Sequence, residues 1–122
     1  MALEWFKCKG AVWCELFKVD IHHQYLAESS GVFVIWTGSS DSPNVLKVGS
    51  GHIPQKLAAI KKDLAIQAFK HLGLYVAWAE VSSLQQKGIE LFLIKELKPK
   101  MQDSTPKAIP LKVNLPWEKI EE

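Results

Sequence analysis

The sequence predicts an α+β domain, and three observations carry that expectation. Val32-Phe33-Val34-Ile35-Trp36 is apolar at every position and rich in β-branched and aromatic residues, the pattern of a strand buried on both faces. A second run, Val45-Leu46-Lys47-Val48-Gly49, follows after residues 37–44, which are all turn-formers and small polar residues, so the two runs read as a hairpin. Later segments switch to helical spacing. The longest of them, residues 83–98, has an apolar surface wider than the stripe of an ordinary amphipathic helix and should be well covered.

Before the hairpin, residues 12–19 read as a short strand, with Trp5, Trp13 and Phe17 packing across the domain. His22 and His23 read as exposed loop histidines. Glu28-Ser29-Ser30 is a turn into the strand 31–36. The second strand, 45–49, ends at Gly49-Ser50-Gly51, where a backbone without Cβ can bend or approach another group closely.

Pro54 suits the first turn of a helix over 53–62, in which Ile53, Leu57 and Ile60 face inward and Lys61 and Lys62 face outward. Asp63 is placed to cap a second helical piece from Leu64 to His71, stopped by Gly73. Residues 74–81 form the next strand. Ser82-Ser83-Leu84-Gln85 has the form of a capping box at the head of the long helix, and Pro99 ends it. Residues 107–117 read as an extended segment packed over the core, an edge of the sheet being one arrangement open to it, because Pro110 and Pro116 cannot donate to an interior ladder. Trp117 is a candidate exposed contact residue, and residues 118–122 read as a frayed end.

With 122 residues, the chain fits a single domain. No apolar run approaches the length of a membrane span and no leader pattern opens the sequence. The simplest expectation is a soluble cytoplasmic protein with no membrane partner. All fifteen positive residues are lysine and the net charge is only +2. Lysine attracts phosphate as a point charge but lacks the planar fork of arginine, so a strongly basic nucleic-acid binder is disfavoured. Cys8 and Cys14 match no zinc spacing with His22 and His23 and are expected to be reduced thiols.

Glu90 stands out in the long helix, surrounded by Leu91, Leu93 and Ile94, with Lys87 three residues behind it. The plain reading of Glu90 is a surface carboxylate paired with Lys87. The order of motifs suggests more. Gly31-Val32-Phe33, then Lys47-Val48-Gly49, then Glu90 and finally Leu97-Lys98-Pro99-Lys100-Met101-Gln102 together resemble the GIY-YIG endonuclease superfamily over residues 31–102. That resemblance implies a three-stranded antiparallel sheet flanked by helices, and phosphodiester hydrolysis with one divalent metal (Mg²⁺ or Mn²⁺) held by Glu90. It also implies a tyrosine hydroxyl at the first or second motif and an arginine in the first helix, with Gln102 standing for the asparagine of the last motif.

The chain departs from that pattern at most of its chemistry. Phe33 replaces the first tyrosine, Lys47 the second, and Lys56 the arginine, if one residue after Gly49 is deleted. Only Glu90 is unchanged. Loss of a placed proton-transfer group typically costs ~10²–10⁴ in rate. His52, or Lys47 with its pKa lowered by burial, is then a substitute base. Three functions remain open: a degraded nuclease-like site binding nucleic acid or phosphate through Lys47, Lys56, Lys61 and Lys62; a working Mg²⁺-dependent endonuclease using Glu90; and a protein-interaction module with a vestigial site.

Overall fold

The computed structural model describes residues 1–39, 41–102 and 104–118. The fold is α+β. Its order is β1 (Cys14–Glu15), α1 (Gln24–Ala27), β2 (Ser30–Thr37), β3 (Asn44–His52), α2 (Ile53–Lys61), α3 (Leu64–Gln67), a 3₁₀ turn at Lys70–Leu72, β4 (Leu74–Glu80) and α4 (Ser83–Leu97). The sheet is antiparallel throughout, in the order β1-β4-β2-β3. It therefore has four strands among the described residues, not the three expected. No helix among the described residues is long and apolar enough to cross a membrane.

β2 is central and buried from Gly31 to Thr37 because each of its faces lies under a different helix. Phe33 and Ile35 join Leu46, Ile53, Leu57, Ile60, Ile66, Val76 and Trp78 in a core on the α2 and α3 side. Val32, Val34 and Trp36 join Val48, Ala77, Ala79, Ile89 and Leu93 on the α4 side. An unbroken apolar run is what such a position requires, since alternation would leave a polar side chain in one core.

β3 runs three residues past the expected end at Gly49, since Ser30 pairs with His52 and Gly31 with Gly51. The ladder carries a register shift at Ile35/Trp36. On its other side β3 is an edge strand. Met101 and Lys100 donate backbone bonds to Leu46 and Val45, so residues 100–101 cover only its first half. Past Val48 the edge lies open to the cleft described below.

The expected strand at 12–19 shrinks to two residues. Cys8 bridges back to Val12, Gly10 and Ala11 take positive φ, and the chain turns again at Glu15–Val19. This tight return brings the Cys8 and Cys14 Cα atoms to 5.1 Å, and the two form a disulfide rather than reduced thiols. Because the closed loop is short, reduction is expected to cost about 2 kcal/mol, through the loop-closure entropy returned to the unfolded chain. Urea melts with and without reductant check this; unchanged midpoints would contradict it.

Asp63 caps α3 as expected, accepting from the Ala65 N–H at 2.9 Å. The helical piece nevertheless breaks after Gln67, and Gly73 takes φ +81° to enter β4. The Ser82/Gln85 pair does not close as a capping box. Its two side chains bond one another at 3.2 Å, and neither caps the backbone.

Residues 107–117 form no strand; they cross α4, where Leu111 N–H donates to the Gly88 carbonyl. Asn114 bonds both the N–H and the C=O of Leu3, and Trp5 Nε1–H donates to the Asn114 carbonyl, so the two ends of the chain are tied together. Trp117 is half-buried, packing edge-on against Trp36 at 5.3 Å. The fraying expected at 118–122 falls mainly on residues 119–122, outside the described residues.

Candidate functional site

β3, α2 and α4 meet at the open half of the β3 edge. Strand alternation sends Lys47 and Gly49 to the α2 face and Val48 and Ser50 to the α4 face, so the edge collects side chains from both layers. The result is a cleft of ≈300 Å³ lined among others by Phe33, Lys47, Gly49, Ser50, Lys56, Lys87, Glu90 and Gln102.

Four expected positions thus come together: Phe33, Lys47, Lys56 and Glu90. Phe33 is only 2% exposed, and its ring lies over Gly49, where an added Cβ would sit 2.4 Å from Cζ. Lys56 extends from α2 across Gly51; a Cβ there would meet its Cε at 2.9 Å, and Gly51 holds φ +128°, which disfavours any other residue. Gln102 accepts from the Val48 N–H at 3.2 Å and so caps the last covered position of the β3 edge. Val48 and Ser50 are two apart in one ladder, so the Ser50 N–H turns toward the same side.

Glu90 is buried, 6% exposed, although it stands on a helix one turn from exposed residues. Ser50 Oγ–H donates to its Oε1 at 2.5 Å. Lys87 Nζ reaches the same Oε1 at 3.3 Å and Ser50 Oγ at 3.1 Å. The pairing of Glu90 with Lys87 is therefore present, but at a buried carboxylate and not on an open surface. One residue earlier, buried Gln86 donates to the Val81 carbonyl and to Ser30 Oγ, both at 2.9 Å, fixing the first turn of α4 against β2.

Other expected residues lie elsewhere. Lys61 turns away and donates to the Val19 carbonyl at 2.7 Å. Burial pushes its ammonium below the usual lysine range, with Asp20 opposing the shift. Lys62 does not line the cleft. The four-lysine phosphate set is thus corrected to Lys47 and Lys56, because consecutive residues at the end of α2 point round the helix and away from β3. His52 is neither a solvated loop residue nor a cleft residue. Its Nε2–H donates to the Ala27 carbonyl at 2.9 Å, and its buried Nδ1 has no partner among the described residues.

Ser50 and Lys87 were not predicted as site residues. Ser50 looks like part of a glycine turn in sequence, and only the strand continuing to His52 fixes its side toward α4. Lys87 carries a signal, its i,i+3 relation to Glu90, which alone implies only surface pairing.

A larger hollow, ≈880 Å³, lies between residues 1–7, Trp78, Glu80 and Asn114. It is lined by Glu4, Glu80 and Glu118 against the single lysine Lys7, the wrong balance for an anion. The smaller cleft carries three lysines and one carboxylate among its described lining residues. Comparison of the chain with protein-family models, with curated proteins and with solved structures finds no match.

Proposed function

We propose that the β3-edge cleft binds a phosphate-bearing ligand, nucleic acid first, without efficient hydrolysis, as a degraded GIY-YIG-like site. The observation that carries this reading is the gathering of Lys47, Lys56 and Lys87 around Glu90 at the open edge of one strand. Lysines from three elements line a volume suited to a backbone phosphate, and the Ser50 N–H adds a neutral donor. The same geometry argues against turnover. Phe33 offers no hydroxyl, and His52 has its Nε2 engaged by the Ala27 carbonyl. Lysine at the place of arginine supplies charge without bidentate contact.

A phosphate site of this size predicts a shallow salt dependence. Fluorescence anisotropy of labelled single- and double-stranded oligonucleotides should show log K falling with log salt at a slope of about −2 to −3. The Lys47→Ala/Lys56→Ala protein should bind all sequences more weakly and lose about 2 from that slope. An unchanged slope would remove the cleft from nucleic-acid binding. Plasmid and oligonucleotides incubated with Mg²⁺ or Mn²⁺ should remain uncut. Robust cutting by the wild type that Glu90→Gln abolishes would make the protein a working nuclease instead.

A further inference from the structure

We propose that the Lys87 ammonium takes the place of a divalent cation in this cleft, so that the site binds its anion as a metal-free site. The inference rests on the phosphate-binding reading above and deepens it. The GIY-YIG resemblance implies a metal on Glu90, and the residues around Glu90 do not fit one. Among the described residues lining the cleft, Glu90 is the one carboxylate. Its Oε1 accepts from both the Ser50 hydroxyl and the Lys87 ammonium. A second, doubly charged cation at that oxygen would stand within a few ångströms of the ammonium.

Lys87, Ser50 and Glu90 form a closed ring in which each touches the other two. Ser50 donates to Glu90, so its lone pairs face Lys87, and the hydrogen-bond directions are mutually consistent. The ammonium has three donors and these contacts use two. The Lys87 side chain is 64% exposed while that of Glu90 is 7%, so the cation presents its remaining face to the cleft and the carboxylate lies behind it. This is the layout of a bound metal, a buried anionic anchor below and a cation facing the ligand, with the cation tethered to the chain.

Its position is also fixed. Gly88 lies against the 109–111 segment, where a Cβ would come within 2.7 Å of the Ile109 carbonyl, and Gln86 pins the preceding residue to β2. Lys87 therefore stands between two anchored residues on the first turns of α4. Unlike a bound ion, this cation does not dissociate and needs no divalent metal.

The test is Mn²⁺ titration of ¹⁵N-labelled protein, followed by paramagnetic broadening of amide signals, with the oligonucleotide titration run beside it in EDTA and in Mg²⁺ at equal ionic strength. In the wild type, the Ser50 and Glu90 signals should survive Mn²⁺, and oligonucleotide affinity should be the same in both buffers. In Lys87→Met these two signals should broaden selectively, and in Lys87→Met/Glu90→Gln they should not. Should Lys87→Met fail to fold, Lys87→Gln, which keeps an amide donor toward Ser50, is read the same way.

Selective broadening in the wild type, or none in a folded Lys87 variant, overturns the proposal. So does a Mg²⁺-dependent gain in affinity of about tenfold or more. Absence of any oligonucleotide binding would sink the phosphate reading alone, since the Mn²⁺ arm reports on Lys87 without nucleic acid.

Discussion

Gly31→Ala is expected to destabilise the protein by on the order of 3 kcal/mol or more, enough to unfold a marginally stable domain. A Cβ at this position would lie 1.9 Å from the Ala79 carbonyl oxygen, 2.9 Å from the Ala79 carbonyl carbon and 2.9 Å from the Val81 nitrogen. All three are backbone atoms of β4 or the residue after it, so no side chain can swing aside. Gly31 pairs with Glu80 on one side and Gly51 on the other, and the neighbouring Ser30 carbonyl accepts from the Val81 N–H. Relief would require prying β2 from β4 at this end of their ladder. Urea denaturation followed by tryptophan fluorescence reads the effect, and a midpoint near the wild type would show that the strands separate at little cost.

This packing also bears on the motif resemblance. Gly31 is required by the approach of β4, and Gly49 by the Phe33 ring above it. Two of the motif's glycines thus have structural reasons that involve no chemistry. The functional argument rests instead on the polar residues that the same strands and α4 deliver to one edge.

What was legible in the sequence was whatever has a strong period or an obligatory breaker. The 32–36 run, the 83–98 helix, the Asp63 cap and the Gly73 stop were readable because burial on two faces, helical spacing and cap chemistry leave residue-level marks. The extent of β1 was not, because two residues paired with β4 carry no period, and their place is set by the turn at Gly10 and Ala11. The convergence of Phe33, Lys47, Lys56 and Glu90 was foreseen only through motif order. Lys61 and Lys62 failed because helical phase at the end of α2 decides which lysines reach β3, and adjacent positions differ by about 100° of rotation. Ser50 depended on how far β3 ran beyond a glycine.

Trp36→Ala should be the other severe lesion, costing about 3–5 kcal/mol. Trp36 is fully buried at the end of β2, and three aromatic rings close on it: Trp13 edge-on at 5.4 Å, Trp117 edge-on at 5.3 Å and Tyr75 tilted at 5.9 Å. Trp13 belongs to the N-terminal segment and Trp117 to the C-terminal one, so this side chain joins both extensions to the central sheet. Truncation leaves a cavity walled by large rigid rings, which collapse poorly, and each aromatic contact adds about 0.5–1.5 kcal/mol beyond its area.

Trp36→Phe separates this packing role from any polar one. The indole Nε1 is buried with no hydrogen-bond partner among the described residues, and an unpaired buried donor costs about 1–3 kcal/mol. Phenylalanine gives up area but removes that penalty, so its stability should fall within about 1 kcal/mol of the wild type. In Trp36→Ala, limited proteolysis should cut both extensions early, before the β2–β3 hairpin is attacked. Equal losses in the two variants, or protection of the extensions in Trp36→Ala, would show that the tie between the chain ends at Leu3, Trp5 and Asn114 holds them in place without Trp36.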